Sequence, residues 1–480
     1  MNSRMVARTV GLIMRIEAAL LLLPTVVGAL YGEHETLYFI LTAALSLGLS
    51  FLFTFKKPRT NVIYAREGLI IVSLSWIALS VVGALPFYLS GEIHGFVNCL
   101  FETISGFTTT GSTILTDIEG LSRGMLFWRS FTHWIGGMGV LVFALALLPM
   151  AEGRSMHILR AEAPGPSVGK LVPKMRSTAV ILYSVYLALT LLEIVILRLG
   201  GMSLYDSVVH SFGTAGTGGF SVRNASIGAY QSPFFEWVIG IFMLLFGVNF
   251  NLFYLILLGK LKSVFKSQEL RWYLAIVALS TLAIAGNISH LFSSAGDTLR
   301  AAFFQVSSII TTTGFSSLNY EVWPTFSKTI ILLLTVIGAC AGSTGGGLKI
   351  SRFIILVKSI VQEIRGMIHP RVVKNIKFEG RTVDKETADS VSVYFSAYVF
   401  VLLGSMLLVA LNGFDTTTTA TSVLTCLGNV GPGLGLVGPA GNFAGFSVFS
   451  KLVFCFDMLA GRLEIFPMLI LFTPGVWKRK

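Results

Sequence analysis

The chain has 480 residues, of which 54% are hydrophobic and 12% charged, with a mean hydropathy of +0.76. That leaves too little polar material to cover a soluble surface, so a soluble fold is excluded and a bilayer is the expected solvent. The formal net charge of +12 is no nucleic-acid signature, because the basic residues fall in connections between apolar runs and not in a stripe interleaved with aromatics.

A spanning helix needs about twenty mostly apolar residues. Taken in order, the sequence predicts spans at about 9–31, 36–55, 68–90, 126–150, 177–199, 234–259, 272–292, 325–360 with an interruption, 388–411 and 446–474. The opening stretch Met1–Tyr31 has the basic start and apolar middle of a cleaved leader, but its apolar run is too long. A second run, Leu37–Phe55, follows at once and makes a helical hairpin the better account. Half-length segments at about 96–107, 204–215, 298–310 and 416–427 lie inside four pairs of spans.

Each half-length segment runs into a short stretch, and the four stretches share one frame. Thr108-Thr109-Thr110-Gly111-Ser112-Thr113, Gly216-Thr217-Gly218-Gly219-Phe220-Ser221, Thr311-Thr312-Thr313-Gly314-Phe315-Ser316 and Gly428-Asn429-Val430-Gly431-Pro432-Gly433 all put glycine fourth. A small residue, Ser105, Gly213, Ser308 or Thr425, stands six places before each glycine. The period is a whole subdomain and not a solenoid repeat. The fold class is therefore an all-α integral membrane protein: four span–half-helix–span repeats around a pseudo-fourfold pore, plus an N-terminal helical hairpin. The hairpin occupies 1–60 and the repeats 61–160, 161–265, 266–375 and 376–480, with the second helix of the third repeat interrupted.

Basic residues in short loops mark the cytoplasmic side. Lys56-Lys57-Arg59-Arg66, Arg154-Arg160-Lys170-Lys174-Arg176, Lys260-Lys262-Lys266-Arg271, Arg365-Arg371-Lys374-Lys377-Arg381-Lys385 and the tail Lys478-Arg479-Lys480 fall on one side of this scheme. Both termini are then cytoplasmic. Trp128, Trp237, Trp272, Trp323 and Trp477 lie near predicted span ends, where indoles favour the headgroup region. Cys99, Cys340, Cys426 and Cys455 lack CxxC spacing and read as small apolar fillers. The connections at 151–176 and 361–387 are too short for a core of their own, so nucleotide sensing must come from another chain.

Extended backbone at membrane depth is tolerated only where protein or a water-filled cavity surrounds it. Four such stretches must face one another, aiming carbonyls and threonine hydroxyls at a common point, as in the coordination of a dehydrated cation. The half-helices direct the negative ends of their dipoles to the same region, so the site prefers cations. Glycine and threonine are also common in transmembrane packing interfaces, but packing glycines need not recur at one offset after four half-helices.

These stretches, with His133-Trp134-Ile135-Gly136-Gly137-Met138-Gly139, Arg160-Ala161-Glu162-Ala163-Pro164-Gly165-Pro166, Gly247-Val248-Asn249-Phe250 and Gly342-Ser343-Thr344-Gly345-Gly346-Gly347-Leu348-Lys349, resemble the TrkH potassium uptake proteins of bacteria over nearly the whole chain. The related KtrB branch lacks the leading hairpin, so the spans before residue 60 favour the TrkH branch. The resemblance implies a potassium-translocating subunit of the bacterial inner membrane, a homodimer with one pore per protomer, gated by a cytoplasmic ring of TrkA-type nucleotide-binding subunits. It implies K+ as the transported ion, nucleotide only on the partner, and a selectivity filter of Thr109, Thr110, Gly111, Thr217, Gly218, Gly219, Thr312, Thr313, Gly314, Asn429, Val430 and Gly431.

Two further constellations bear on transport. Four glycines within Gly342–Gly347 cost about 4 kcal/mol of helix stability relative to alanine, at roughly 1 kcal/mol each, so the eighth span should break there. Leu348 stands where a phosphate loop needs lysine and no strand precedes it, so the segment reads as a gate, Gly342, Ser343, Thr344, Gly345, Gly346 and Gly347 with Lys349, a role the resemblance also implies. Arg462, in the last span, is expensive in a membrane and must face a cavity or a partner. An ion pair with Glu464 or Asp457 is one reading; by resemblance, it faces the pore beneath the filter and ties down the glycine loop. His133 and His210 read as packing histidines and not as metal ligands. A potassium symporter working by alternating access would suit broken helices, but such folds typically use inverted repeats, and these run in one direction. An intramembrane enzyme would need a nucleophile with its base, or a metal cluster, and neither is apparent.

Overall fold

The computed structural model of the chain describes residues 2–56, 58, 64–139, 175–370 and 375–477. The basic connection at 151–176 and the second half of the span expected at 126–150 lie almost wholly outside them. Helix α1 (Ser3–Leu20) continues as α2 (Leu22–Tyr31), and α3 (Thr36–Thr54) returns beside it to complete the hairpin. Ser46 Oγ seals the two limbs by donating to the Met14 carbonyl at 2.8 Å.

The first repeat is α4 (Ala65–Gly83) with its continuation α5 (Leu85–Ser90), the half-helix α6 (Phe96–Phe107) and α7 (Arg123–Gly137). The second is α8 (Met175–Leu199), the half-helix α9 (Leu204–Gly216), then α10 (Pro233–Phe246) and α11 (Phe250–Leu257). After a short α12 (Leu261–Lys266) come α13 (Gln268–Ile288), the half-helix α14 (Ala295–Ile310), α15 (Thr325–Ile337) and α16 (Ile350–Ile368). The fourth is α17 (Lys385–Val409), the half-helix α18 (Thr416–Gly428) and α19 (Val448–Arg462). Among the described residues, six helices, with α1 and α2, and α4 and α5, each taken as one, are long and apolar enough to cross a membrane, and α10 with α11 adds a bent seventh. Their outer faces carry exposed apolar side chains such as Leu52, Leu282, Phe400 and Leu407, as a lipid-facing surface must.

Three of the four half-helices start where short polar side chains take up unpaired amides, whereas α6 starts after Gly95 without a side-chain cap. Ser203 accepts from Asp206 N, Ser294 from Gly296 N, and Asp415 from Thr418 N at 2.9 Å. The hairpin is anchored by the same chemistry. Glu33 receives the amides of Arg123 and Gly124 at 2.7 and 2.8 Å, at the positive end of α7.

Three expectations are corrected. The sequence predicts a break only in the third repeat, yet α10 and α11 are bent by 92° around Gly247-Val248-Asn249, where Asn249 caps the new helix. The last span, expected as one helix over 446–474, stops at Arg462; Glu464 and Ile465 take φ of 60° and 64°, and Pro467 just beyond has no amide to continue the ladder. Among the tryptophans, Trp128 and Trp323 are core residues. The Trp128 indole donates to the Gly83 carbonyl at 3.0 Å, and only Trp272 and Trp477 are clearly exposed. The connection at 361–387 also holds a small hairpin, β1 (Ile376–Phe378) with β2 (Arg381–Val383), in the register Phe378↔Arg381. Its turn, Glu379-Gly380 at φ 50° and 75°, is a two-residue hairpin loop.

Candidate ion pathway

The four stretches have one backbone conformation. Their second residues, Thr109, Thr217, Thr312 and Asn429, all lie in the left-handed region at φ 53–58°, and the fourth, Gly111, Gly219, Gly314 and Gly431, at 75–95°. The third residues donate their amides to the small residues singled out by the frame: Thr110 to Ser105 at 2.9 Å, Gly218 to Gly213 at 2.9 Å, Thr313 to Ser308 at 2.8 Å, and Val430 to Thr425 at 2.9 Å. Each chain therefore folds back over the end of its half-helix and continues away from it.

The stretches close into a ring in cyclic order. A β-carbon on Gly111 would strike the Gly218 carbonyl, one on Gly219 the Thr313 carbonyl, and one on Gly314 the Val430 carbonyl. One on Gly431 would come within 2.7 Å of the Thr110 carbonyl, which completes the circle. Glycine is required here for a positive φ and for room. The backbone carbonyls of Thr109, Thr110, Thr217, Gly218, Thr312, Thr313, Asn429 and Val430 belong to buried or nearly buried residues and accept no hydrogen bond among the described residues. Buried carbonyls are normally paired, because an orphan costs as much as a lost hydrogen bond. A ring of such carbonyls is a donor set suited to an electropositive guest.

Several of the threonine hydroxyls are taken up by protein partners, while Thr109 Oγ1 is buried with no partner among the described residues. Thr110 and Thr313 are held by Thr108 and Thr311 at 2.8 Å in each repeat, and the Thr217 hydroxyl donates to the Gly216 carbonyl at 2.6 Å. Thr312 accepts from Gly346 N at 2.6 Å. Asn429 Nδ2 joins the fourth repeat to the first by donating to Thr110 Oγ1 at 2.9 Å.

A buried ion pair missed in the sequence braces the ring from outside. Glu102 of α6 accepts from Arg129 Nε at 2.6 Å, Thr113 Oγ1 at 2.8 Å and Ile114 N at 3.0 Å. Arg129 also donates to the Ser221 carbonyl at 3.0 Å and lies 3.5 Å over the Phe220 ring. The pair thus clamps the strand leaving the first stretch to that leaving the second. The available signal was an arginine inside the apolar run Met125–Ile135, the same signal that singles out Arg462. A cleft lined by Gly111, Gly219, Gly314 and Gly431 opens on this side.

On the other side lies the segment between α15 and α16. Gly347 N donates to the Gly428 carbonyl at 3.0 Å, so with the Gly346 bond to Thr312 the loop sits against the ends of two half-helices. Gly338, Gly342 and Gly347 take φ of 71–74°, which no helix allows. The Lys349 ammonium donates to the Gly345 carbonyl and is buried within the loop, and Ser343 Oγ donates to Cys340 O at 2.6 Å. Thr344 is tied to the broken second repeat through the Phe246 carbonyl at 3.2 Å.

Arg462 joins these parts. It donates to the Thr344 carbonyl at 2.8 Å and to the carbonyls of Gly136 and Gly137 at 2.5 and 2.7 Å. Glu464 is taken by Arg352, and Asp457 accepts from Ser405 at 2.6 Å. Beyond the loop, Glu269 Oε1 accepts from Ala341 N at 2.7 Å, while Glu379 of the β-hairpin receives Glu269 N at 2.8 Å and Ser267 Oγ at 2.9 Å. His133 and His210 are both buried with both ring nitrogens engaged, and no cluster of metal-ligating residues occurs among the described residues.

Fold and ring together define a membrane protein with four re-entrant half-helices meeting around one axis of a single chain. The TrkH family pattern, described as cation transport protein, matches residues 33–478. The Trk system potassium uptake protein TrkH of Salmonella typhimurium is 38% identical, and that of Escherichia coli K12 37%, each over 100% of both chains. The crystal structure of the potassium transporter TrkH from Vibrio parahaemolyticus superposes with a TM-score of 0.90 at 33% identity, covering 100% of both chains. The chain belongs to the TrkH family of cation transport proteins.

Proposed function

We propose that this chain takes up potassium through the ring of carbonyls, with Gly111, Gly219, Gly314 and Gly431 as its filter glycines. The observation that carries the reading is the closed cycle of buried carbonyls that accept no hydrogen bond among the described residues. Such a ring replaces the hydration shell of a cation at little cost in reorganisation. The names of the relatives give potassium as the ion.

The glycine loop is the gate in this reading, held closed by Arg462 through Thr344. Glu269 and Glu379 form a chain of contacts from the β-hairpin to Ala341 at the head of the loop, by which a force on the cytoplasmic side reaches it. We infer from the family resemblance a homodimer in the bacterial inner membrane, both termini cytoplasmic, with a TrkA-type nucleotide-binding ring as the partner that supplies this force. The exposed Lys377, Arg381 and Lys385 at the hairpin suit an acidic partner face.

Uptake of rubidium or potassium into proteoliposomes, with and without imposed proton and sodium gradients, tests the reading. Passive, saturable flux without a gradient is expected. Uptake that requires a proton or sodium gradient would replace it with coupled transport, and no potassium flux under any gradient would sink both.

A further inference from the structure

The second repeat departs from the other three at one atom-rich place. The third residue of its stretch is Gly218, where the others carry Thr110, Thr313 and Val430. Removing that side chain should leave a void behind the carbonyl ring and a freer backbone in the stretch that must be best defined. Yet Gly218 is in contact. A β-carbon added to it would come within 2.4 Å of Cγ and Nδ1 of the His133 imidazole, closer than any real contact.

His133 stands four residues before Gly137, where α7 ends. Gly137 and Gly247 each pack against the residue three places before a filter glycine, Gly216 and Thr311, and Gly136 and Gly461 each pack against a carbonyl four places before one, Phe107 and Leu427. These parallels set His133 in register with Met243 and Met458, both fully buried. Beside the two stretches that carry threonine, Thr313 and Thr110, the second helix offers a methionine at this register; beside the stretch that carries Gly218 it offers an imidazole.

Both ring nitrogens are used on backbone. Nδ1 lies 2.7 Å from the Gly106 carbonyl and Nε2 3.3 Å from the Phe220 amide nitrogen. An amide can only donate, so Nε2 is the acceptor and Nδ1 carries the proton, giving one neutral tautomer. The ring also packs on Phe220, centroids 4.2 Å apart. One side chain thus fixes the end of the first half-helix and both flanks of Gly219.

We propose that His133 is a positioning residue of the filter: its neutral imidazole takes the volume left by Gly218 and, through Gly106 and Phe220, sets where the Gly218 and Gly219 carbonyls stand, and with them the ion preference of the ring. The proposal rests on the reading of the ring as a potassium filter. Wild-type protein in the same preparation separates the two, since absent wild-type potassium flux fails that reading, whereas normal wild-type flux with indifferent variants fails only this inference.

The test compares His133→Met, His133→Gln, Gly218→Ala and the double change His133→Met with Gly218→Thr, reading potassium and sodium flux ratios and thermal stability together. His133→Met, which deletes two hydrogen bonds, should lower the potassium-to-sodium ratio about tenfold. His133→Gln keeps an acceptor toward Phe220 and should recover most of it. Gly218→Ala pushes on the same contact from the other side and should lower the ratio too. The double change rebuilds the pattern of the other repeats and should lie above His133→Met. Variants that lose thermal stability while every flux ratio stays at the wild-type value would make His133 a packing residue and overturn the proposal.

Discussion

Replacing Arg462 by glutamine removes the charge and shortens the reach of a side chain that joins the glycine loop to the first repeat. Three carbonyls lose their donor: Thr344 at 2.8 Å, Gly136 at 2.5 Å and Gly137 at 2.7 Å. A hydrogen bond to a charged group contributes about 1.5–3 kcal/mol. Only the Thr344 bond joins the loop directly, so the closed position loses about that amount relative to an open one. At about 1.4 kcal/mol per factor of ten, the population of open loops rises roughly 10- to 150-fold. Uptake of rubidium by proteoliposomes without a partner should increase in that range until the open state dominates. The opposing account is a purely structural arginine, whose loss should cost about 3–5 kcal/mol of stability, as for a broken buried pair. Of the two carboxylates the sequence offers for such a pair, Glu464 engages Arg352 and Asp457 accepts from Ser405. Uptake and thermal unfolding measured on one preparation decide: a fall in melting temperature with no gain in flux would refute the reasoning.

Gly111→Ser puts a β-carbon against the Gly218 carbonyl at a residue with φ of 81°, so the ring must widen or tilt; the potassium-to-sodium flux ratio should drop, with an unchanged ratio at normal expression counting against the filter assignment. Deleting Gly345–Gly347 removes the loop's bonds to Thr312 and Gly428. Flux without the partner should rise and nucleotide control should weaken; variants inserted at wild-type levels that conduct no more than wild type and respond fully to nucleotide would make the break a packing adjustment.

The half-helices were legible in the sequence because their ends are written in local chemistry. The segments expected at about 96–107, 204–215, 298–310 and 416–427 are Phe96–Phe107, Leu204–Gly216, Ala295–Ile310 and Thr416–Gly428. A left-handed residue two places before a glycine, a small acceptor six places before it and, in three of the four, a polar cap at the start each act within one or two turns. The break at Gly342–Gly347 is likewise a matter of intrinsic propensity, so the residues alone predict it.

What only the tertiary structure decided is everything that depends on a partner distant in the chain. The cyclic order of the ring, and the Asn429 bond to Thr110 across 319 positions, follow from how the repeats are seated on one another. The helix breaks at Gly247-Val248-Asn249 and after Arg462 were not foreseen, because each is compensated by carbonyls and amides of other repeats: Gly247 O receives Cys340 N at 3.1 Å, and Arg462 reaches the first and third repeats. Glu102 with Arg129, and His133 with Gly218, are unremarkable as isolated residues. They acquire their roles because a low-dielectric interior leaves a buried charge or a missing side chain no solvent to fall back on, so the nearest group of another repeat must answer it.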